Sequence, residues 1–341
     1  MSGTEDRSPL EDFRKLATDP TADHADAIAA TAAREAELIK PPGALGRLED
    51  LAAWLTAVTG VAPPKVQSPR VVVFAASHGI ADAGVSAYPP SVNPQMLAAF
   101  RAGKAAINQI CAVNGIGLSV FDLALDVPSG NIAEVDAFAS DKELAATLAF
   151  GLEAIAGGVD CLGLGEMGIG NTAVAAALYG ALYGGGAAAW CGAGTGVVGE
   201  ALAHKVAVVE RAIARAEGES DPLLLLRMLG GREIAAMAGA ILAARVQGVP
   251  VVVDGFVSTA AAAVVHAMNP AAIAHCVFAH RSAEAAHGRV LERLGVPPLL
   301  DLGMRLGEGT GAAVAIGVIR AAAACHAGMA TFAEAGVDGS A

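Results

Sequence analysis

The sequence predicts an α/β fold, a parallel sheet with helices on both faces, and three observations carry that prediction. Short β-rich runs alternate with longer Ala-rich helical runs over most of the chain. Most of the β-rich runs are apolar at every position, as strands buried on both faces are. Clusters of glycine and polar residues recur just after those runs, where open sheets of this kind bind ligands.

The elements follow in order. Residues 1–20 are polar, with Pro9 and Pro20, and are expected to form a flexible N-terminal arm. Helical patterns cover 23–38 and 44–59, parted by Pro41-Pro42-Gly43. The proline-rich stretch 63–69 reads as a linker. Strands are expected over 71–75, 118–122, 161–164, 187–191, 251–253 and 276–278. Helices are expected over 92–113, 142–156, 171–183, 199–217, 232–247, 258–268, 281–294 and 312–324. No fixed-period repeat is present.

Composition narrows the class. The 341 residues suit about two domains, or one large one with an appendage. Hydrophobic residues make up 54%, much of it Ala and Gly, so a large core with close helix–sheet packing is available. Aromatics make up only 4% and the formal charge is −12, which argues against nucleic acid or an anionic membrane as partner. Cys111, Cys161, Cys191, Cys276 and Cys325 are odd in number and widely spaced, a pattern of reduced thiols rather than a disulfide framework or zinc site. The opening MSGTEDRSPLEDF is polar and acidic, unlike a signal or transit peptide. Apolar runs such as 235–246 break off before membrane-spanning length. A cytoplasmic protein is expected.

Two glycine-rich motifs can carry chemistry. Arg305-Leu306-Gly307-Glu308-Gly309-Thr310-Gly311 leads into an apolar helix. Glycines flanking a carboxylate let backbone approach a ligand, and a helix N-terminus can hold an anion. The plainer reading makes Glu308 or Thr310 a helix cap. The stretch 163–172, GLGEMGIGNT, lies between a strand and a helix, where a glycine turn can cradle a phosphate. Its G-x-G-x-x-G match (Gly163, Gly165, Gly168) lacks the acidic residue that dinucleotide sites place about twenty positions on, so a mononucleotide phosphate fits better than NAD. Here the plainer reading is a tight turn with Asn171 as cap.

Other candidates are weaker singly. Lys205 follows the glycine turn 192–199 and can reach a phosphate or stand exposed on its helix. Ser282 and Glu284, after His280, can bind a phosphate or cap a helix. The histidines show no metal-ligand spacing, so no metal is expected.

Taken together, these stretches resemble the nicotinate-nucleotide–dimethylbenzimidazole phosphoribosyltransferase family from about Lys40 to Val337. The matches begin at 40–49, KPPGALGRLE, and continue through His78-Gly79, GVSAYP at 84–89 and GEMGIGNT at 165–172. They end with Gly230-Gly231, Asp254-Gly255-Phe256, the stretch 280–284 and RLGEGTGAA at 305–313. The resemblance implies a Rossmann-like domain over 63–304. It adds a small helical domain from both termini (21–62, and 305–341 with its active-site loop) and a homodimer without cofactor. It implies transfer of ribose phosphate from nicotinate mononucleotide to a benzimidazole base, with Glu308 as catalytic base and Glu166 as supporting acid. Donor phosphate contacts fall on Gly168, Asn171, Lys205 and Ser282, and acceptor contacts on Tyr88, Met96 and Met167. Gly194, Arg305, Leu306 and Gly307 complete the expected substrate contacts. Four positions depart from the family pattern: Ser77 replaces an acid, Asn93 and Ala173 replace threonines, and Arg232 stands where an aromatic is common. Ser77 is expected to weaken an ordering hydrogen-bond network, and the others to reshape a pocket. Rival readings are a same-fold enzyme with another acceptor (adenine, another azole or a phenol), a catalytically silent nucleotide-binding protein, and a dehydrogenase.

Overall fold

A computed structural model describes residues 8–338. Its sheet holds six parallel strands: β1 Pro69–Ala75, β2 Gly117–Asp122, β3 Cys161–Met167, β4 Val251–Val253, β5 Cys276–His280 and β6 Pro298–Leu300. Their spatial order is β2-β1-β3-β4-β5-β6. The chain leaves β1 toward β2 and returns to place β3 on the other side of β1. That reversal opens a crevice beyond the carboxyl ends of β1 and β3, where doubly wound sheets bind ligands.

Side-chain alternation divides the core into two layers. Val72, Phe74, Leu162, Leu164, Val251 and Val253 face one cluster, shared with helices Asn171–Tyr183, Arg232–Gln247 and Phe256–Met268. Val71, Val73, Cys161 and Val252 face the other, shared with helices Arg47–Thr59, Ala106–Asn114 and Thr310–Gly328. Both faces are covered, which is why these strands carry no polar alternation. The apolar helix Thr310–Gly328 meets membrane-spanning length and hydropathy, yet half of that stretch is buried inside the protein, against the sheet.

Several expectations need correction. The run expected as a strand at 187–191 is the short helix Ala187–Trp190, reached through Gly184, Gly185 and Gly186 at positive φ. Alanines do not favour a strand, and Trp190 packs on Tyr179 and Tyr183 off the sheet. The sixth strand is β6, at the sheet edge, where a leading proline is tolerated. The single helix expected over 92–113 is two, Val92–Arg101 and Ala106–Asn114. The helix Pro222–Leu229 falls outside the expected set, although Asp221 caps it by accepting from the amides of Leu223 (2.8 Å) and Leu224 (3.2 Å).

The arm expected over 1–20 is ordered where it is described. Residues Glu11–Thr18 form a helix whose Phe13 and Ala17, with Leu10 before it, enter the main core. Arg14 pairs with Asp221 at 2.6 Å, and Arg245 and Asn269 hold the carbonyls of Leu16 and Ala17. Residues 1–7 lie outside the described part. The N-terminal helices do meet the C-terminal region: Arg34 donates to the carbonyls of His326, Ala327 and Met329, and Leu38 bridges Thr331. Helix Thr310–Gly328 also forms part of the layer on the sheet.

Candidate active site

A cavity of about 490 Å³ opens beyond the carboxyl ends of β3, β4 and β5. Segments far apart in sequence build its wall. Glu166 and Met167 come from the end of β3, Gly168 and Ile169 from the turn after it, and Asn171 and Thr172 from the start of the helix that follows. Gly194 and Thr195 come from the glycine turn; Gly255, Phe256 and Val257 follow β4, and His280, Ser282 and Glu284 end or follow β5. Tyr88 and Arg305, Leu306 and Gly307 complete it, with Tyr88 54% and Leu306 58% exposed at the mouth.

Thus nine of the predicted substrate contacts share one wall with the supporting acid: Tyr88, Met167, Gly168, Asn171, Gly194, Ser282, Arg305, Leu306 and Gly307. Three predicted site residues are not on it. Met96 lies in helix Val92–Arg101 and packs on the second core cluster. Lys205 is fully buried behind the glycine turn, where its Nζ donates to Thr172 Oγ1 at 2.9 Å and to the carbonyl of Gly192 at 3.1 Å. Glu308 is one residue past Gly307, 5% exposed, with its Oε2 buried and without a hydrogen-bond partner among the described residues.

The two glycine motifs meet each other. The amide of Glu308 donates to the carbonyl of Glu166 at 3.2 Å. A Cβ at Gly165 would stand 2.5 Å from the amide nitrogen of Gly309, so only glycine lets the loop rest on β3. A Cβ at Gly163 would stand 2.8 Å from Val71 and press on helix Thr310–Gly328. Gly163 and Gly165 therefore serve strand packing and not phosphate cradling, which corrects that reading of the G-x-G-x-x-G match. The cap readings change as well. Gly170 and Gly309 hold the N-cap positions, Asn171 turns back to donate to Glu166 Oε2, and Thr310 Oγ1 donates to the carbonyl of Gly307 at 2.8 Å.

Burial tunes the acids. It pushes the Glu166 carboxyl up to about 8, helped by the negative charges of Glu233 and Asp254 and opposed by the Asn171 amide. Burial alone pushes Glu308 up to about 7. Asp254, at the end of β4, is raised to about 7 by the same cause, against the amides it accepts from. Burial lowers His280 and Lys205, and for Lys205 the charge of Glu284 opposes the shift.

Glu284, left open in sequence between phosphate binding and capping, accepts from the amide of Gly194 at 3.0 Å and so anchors the glycine turn. Wall positions at Ile169, Thr195, Phe256 and Val257 carry no sequence signal of their own. They belong to the glycine turns and to the start of the helix after Asp254-Gly255, which do.

The departures at 77 and 93 prove to be partners. Asn93 Nδ2 donates to Ser77 Oγ at 3.0 Å, and Asn93 Oδ1 accepts from the amide of Ile169 at 2.9 Å. A network beneath the 168–170 turn is therefore intact, contrary to the weakening expected from Ser77. Arg232 bonds the carbonyl of Val127 and Glu143, off the cavity wall, and Ala173 is buried in its helix, so neither reshapes the cavity.

A family model described as phosphoribosyltransferase matches residues 21–337. The nicotinate-nucleotide–dimethylbenzimidazole phosphoribosyltransferase of Sinorhizobium fredii is 59% identical over 330 residues, 96% of this chain and 97% of that one. The chain belongs to this family. The phosphoribosyltransferase of the same name from Methylocella silvestris is 59% identical over 335 residues, 98% of each chain. Among solved structures, CobT from Thermus thermophilus superposes with a TM-score of 0.87 at 40% identity, covering 92% of this chain and all of that one. The Rossmann-like α/β architecture is thus the fold of a phosphoribosyltransferase, a pentosyl-transferring enzyme.

Proposed function

We propose that the chain transfers ribose 5-phosphate from nicotinate mononucleotide to dimethylbenzimidazole, releasing nicotinate and forming α-ribazole phosphate for the nucleotide loop of a cobamide. An azole nitrogen attacks the anomeric carbon as the bond to nicotinate breaks. The bonding pair returns to the pyridinium nitrogen, which makes nicotinate a good leaving group without metal or acid. The azole's N–H proton must leave as its other nitrogen alkylates, and Glu308 takes it. The observation that carries this role is the buried, unpartnered Oε2 of Glu308, one residue from the cavity wall, on a carboxyl raised to about 7. A base poised near the working pH is the most effective one.

Other residues serve binding. Glu166, raised to about 8, keeps its proton near neutrality and orients the acceptor. Lys205, Ser282, Gly168 and Asn171 surround the donor's phosphate. Ligand binding would draw Lys205 Nζ toward the cavity from Thr172, which is itself on the wall. Tyr88, Met167 and Leu306 offer apolar surface to the acceptor ring, and Gly194, Arg305 and Gly307 border the donor. The enzyme acts in the cytoplasm as a homodimer; its five free thiols suit a reducing compartment.

Incubating purified protein with nicotinate mononucleotide and a panel of dimethylbenzimidazole, adenine and phenol, followed by chromatography and mass analysis of the ribosides, tests the reading. Dimethylbenzimidazole should give the fastest nicotinate release. Preferred transfer to adenine or phenol would reassign the acceptor, and binding without nicotinate release would make the protein a silent nucleotide binder.

A further inference from the structure

The backbone of Glu308 has φ +64°, a left-handed conformation that a side-chain-bearing residue adopts only when its surroundings over-determine it. What over-determines it comes from a different strand. Asp254, 1% exposed at the end of β4, sends its carboxylate under the loop. Its Oδ2 accepts from the amide of Gly309 at 3.2 Å and its Oδ1 from the amide of Ala312 at 2.9 Å. The first turn of helix Thr310–Gly328 has free amides and no side-chain cap of its own, because Gly309 occupies the N-cap. Asp254 supplies the missing acceptor across 55 and 58 residues of sequence. From the other side, β3 holds the same loop through the Glu308 amide and the bare Gly165. His280 Nε2, on the cavity wall, lies 3.8 Å from Asp254 Oδ1.

We propose that Asp254 is a positioning residue that holds the Glu308 loop in its left-handed turn and so aims the base at the acceptor. It touches no substrate and acts only through Glu308, so the proposal rests on Glu308 being the base. Asparagine at 254 is the sharp probe: it fills the same space, but its amide would face the donors of residues 309 and 312.

The test compares Asp254→Asn, Glu308→Gln and the double variant, each confirmed folded by circular dichroism, for nicotinate release with dimethylbenzimidazole. A small misplacement of a catalytic group can cost about 100-fold, so Asp254→Asn should lower kcat about 10- to 100-fold and leave the donor Kd within about threefold. The double variant should be no slower than Glu308→Gln, because the base that Asp254 serves is already gone. Full activity of folded Asp254→Asn, or additive losses in the double, would overturn the proposal and leave the role of Glu308 standing. Wild-type turnover by Glu308→Gln would overturn both. If Asp254→Asn does not fold, Asp254→Ser, which keeps one acceptor oxygen, replaces it. Failure of both to fold would assign Asp254 to the core and also overturn the proposal.

Discussion

Two glutamates that each follow a glycine stand side by side in this molecule, and the chain treats them differently. Glu166 belongs to a strand: it pairs in register with Phe74, has ordinary extended backbone, and receives a hydrogen bond from Asn171. Glu308 belongs to a turn, with left-handed backbone and one carboxylate oxygen that has no partner among the described residues. Crowding by Glu233, Asp254 and Glu308 adds to burial in holding the proton on Glu166, whereas burial alone acts on Glu308. Closely placed acids whose environments push their titrations apart divide the work between them. On the proposed reading, the strand-borne acid is the one that holds its proton more strongly and the loop-borne acid is the one that takes a proton.

The largest expected effect breaks that comparison at its reactive end. Glu308→Gln removes the proposed base while keeping size and burial, and should lower kcat about 10²- to 10⁴-fold with the donor KM little changed. At the other end, a protonated Glu166 is mimicked by an amide. Glu166→Gln should therefore cost less than about tenfold in turnover. Glu166→Ala, which also strands the Asn171 amide, should cost more. Equal losses from Gln at both positions would erase the distinction between the two acids.

The smallest effect is on stability. Both folded carboxyls titrate above the ordinary value of 4.5, so between that value and about 7 or 8 the folded chain keeps protons that the unfolded chain releases. Their contribution is full below about pH 4.5 and is lost as pH rises through 7 for Glu308 and through 8 for Glu166. A glutamine cannot ionise. Each Gln variant should thus melt close to wild type at pH 4.5 and a few degrees above it at pH 8.5, the gap opening above pH 4.5 for both and growing to higher pH for Glu166→Gln.

What could be read in advance follows from how local each cause is. β1, β3, β4 and β5 are legible because burial makes their expected runs apolar, a property of the run itself. The run 187–191 is not, because its alanines do not favour a strand and three preceding glycines decide its path. β6 opens on Pro298, directly after Pro297, and reads as loop until β5 is beside it. In the site, the glycine-flanked acids announced themselves, but the purpose of Gly163 and Gly165 did not. Their neighbours are Val71 and the 308–309 turn, both distant in sequence. The same holds for Asn93 with Ser77, and for Lys205, whose helical pattern gives no sign that its ammonium is enclosed by Thr172 and Gly192. Long-range pairing is invisible to spacing.

The central claim is that Glu308 accepts the acceptor's proton, and the pH dependence of kcat at saturating substrates, measured for wild type beside Glu308→Gln, tests it most directly. Wild-type kcat should rise through an apparent pKa near 7 and level off above it, while the variant runs low and flat across the same range. A variant that keeps the wild-type rise near pH 7 would contradict the claim.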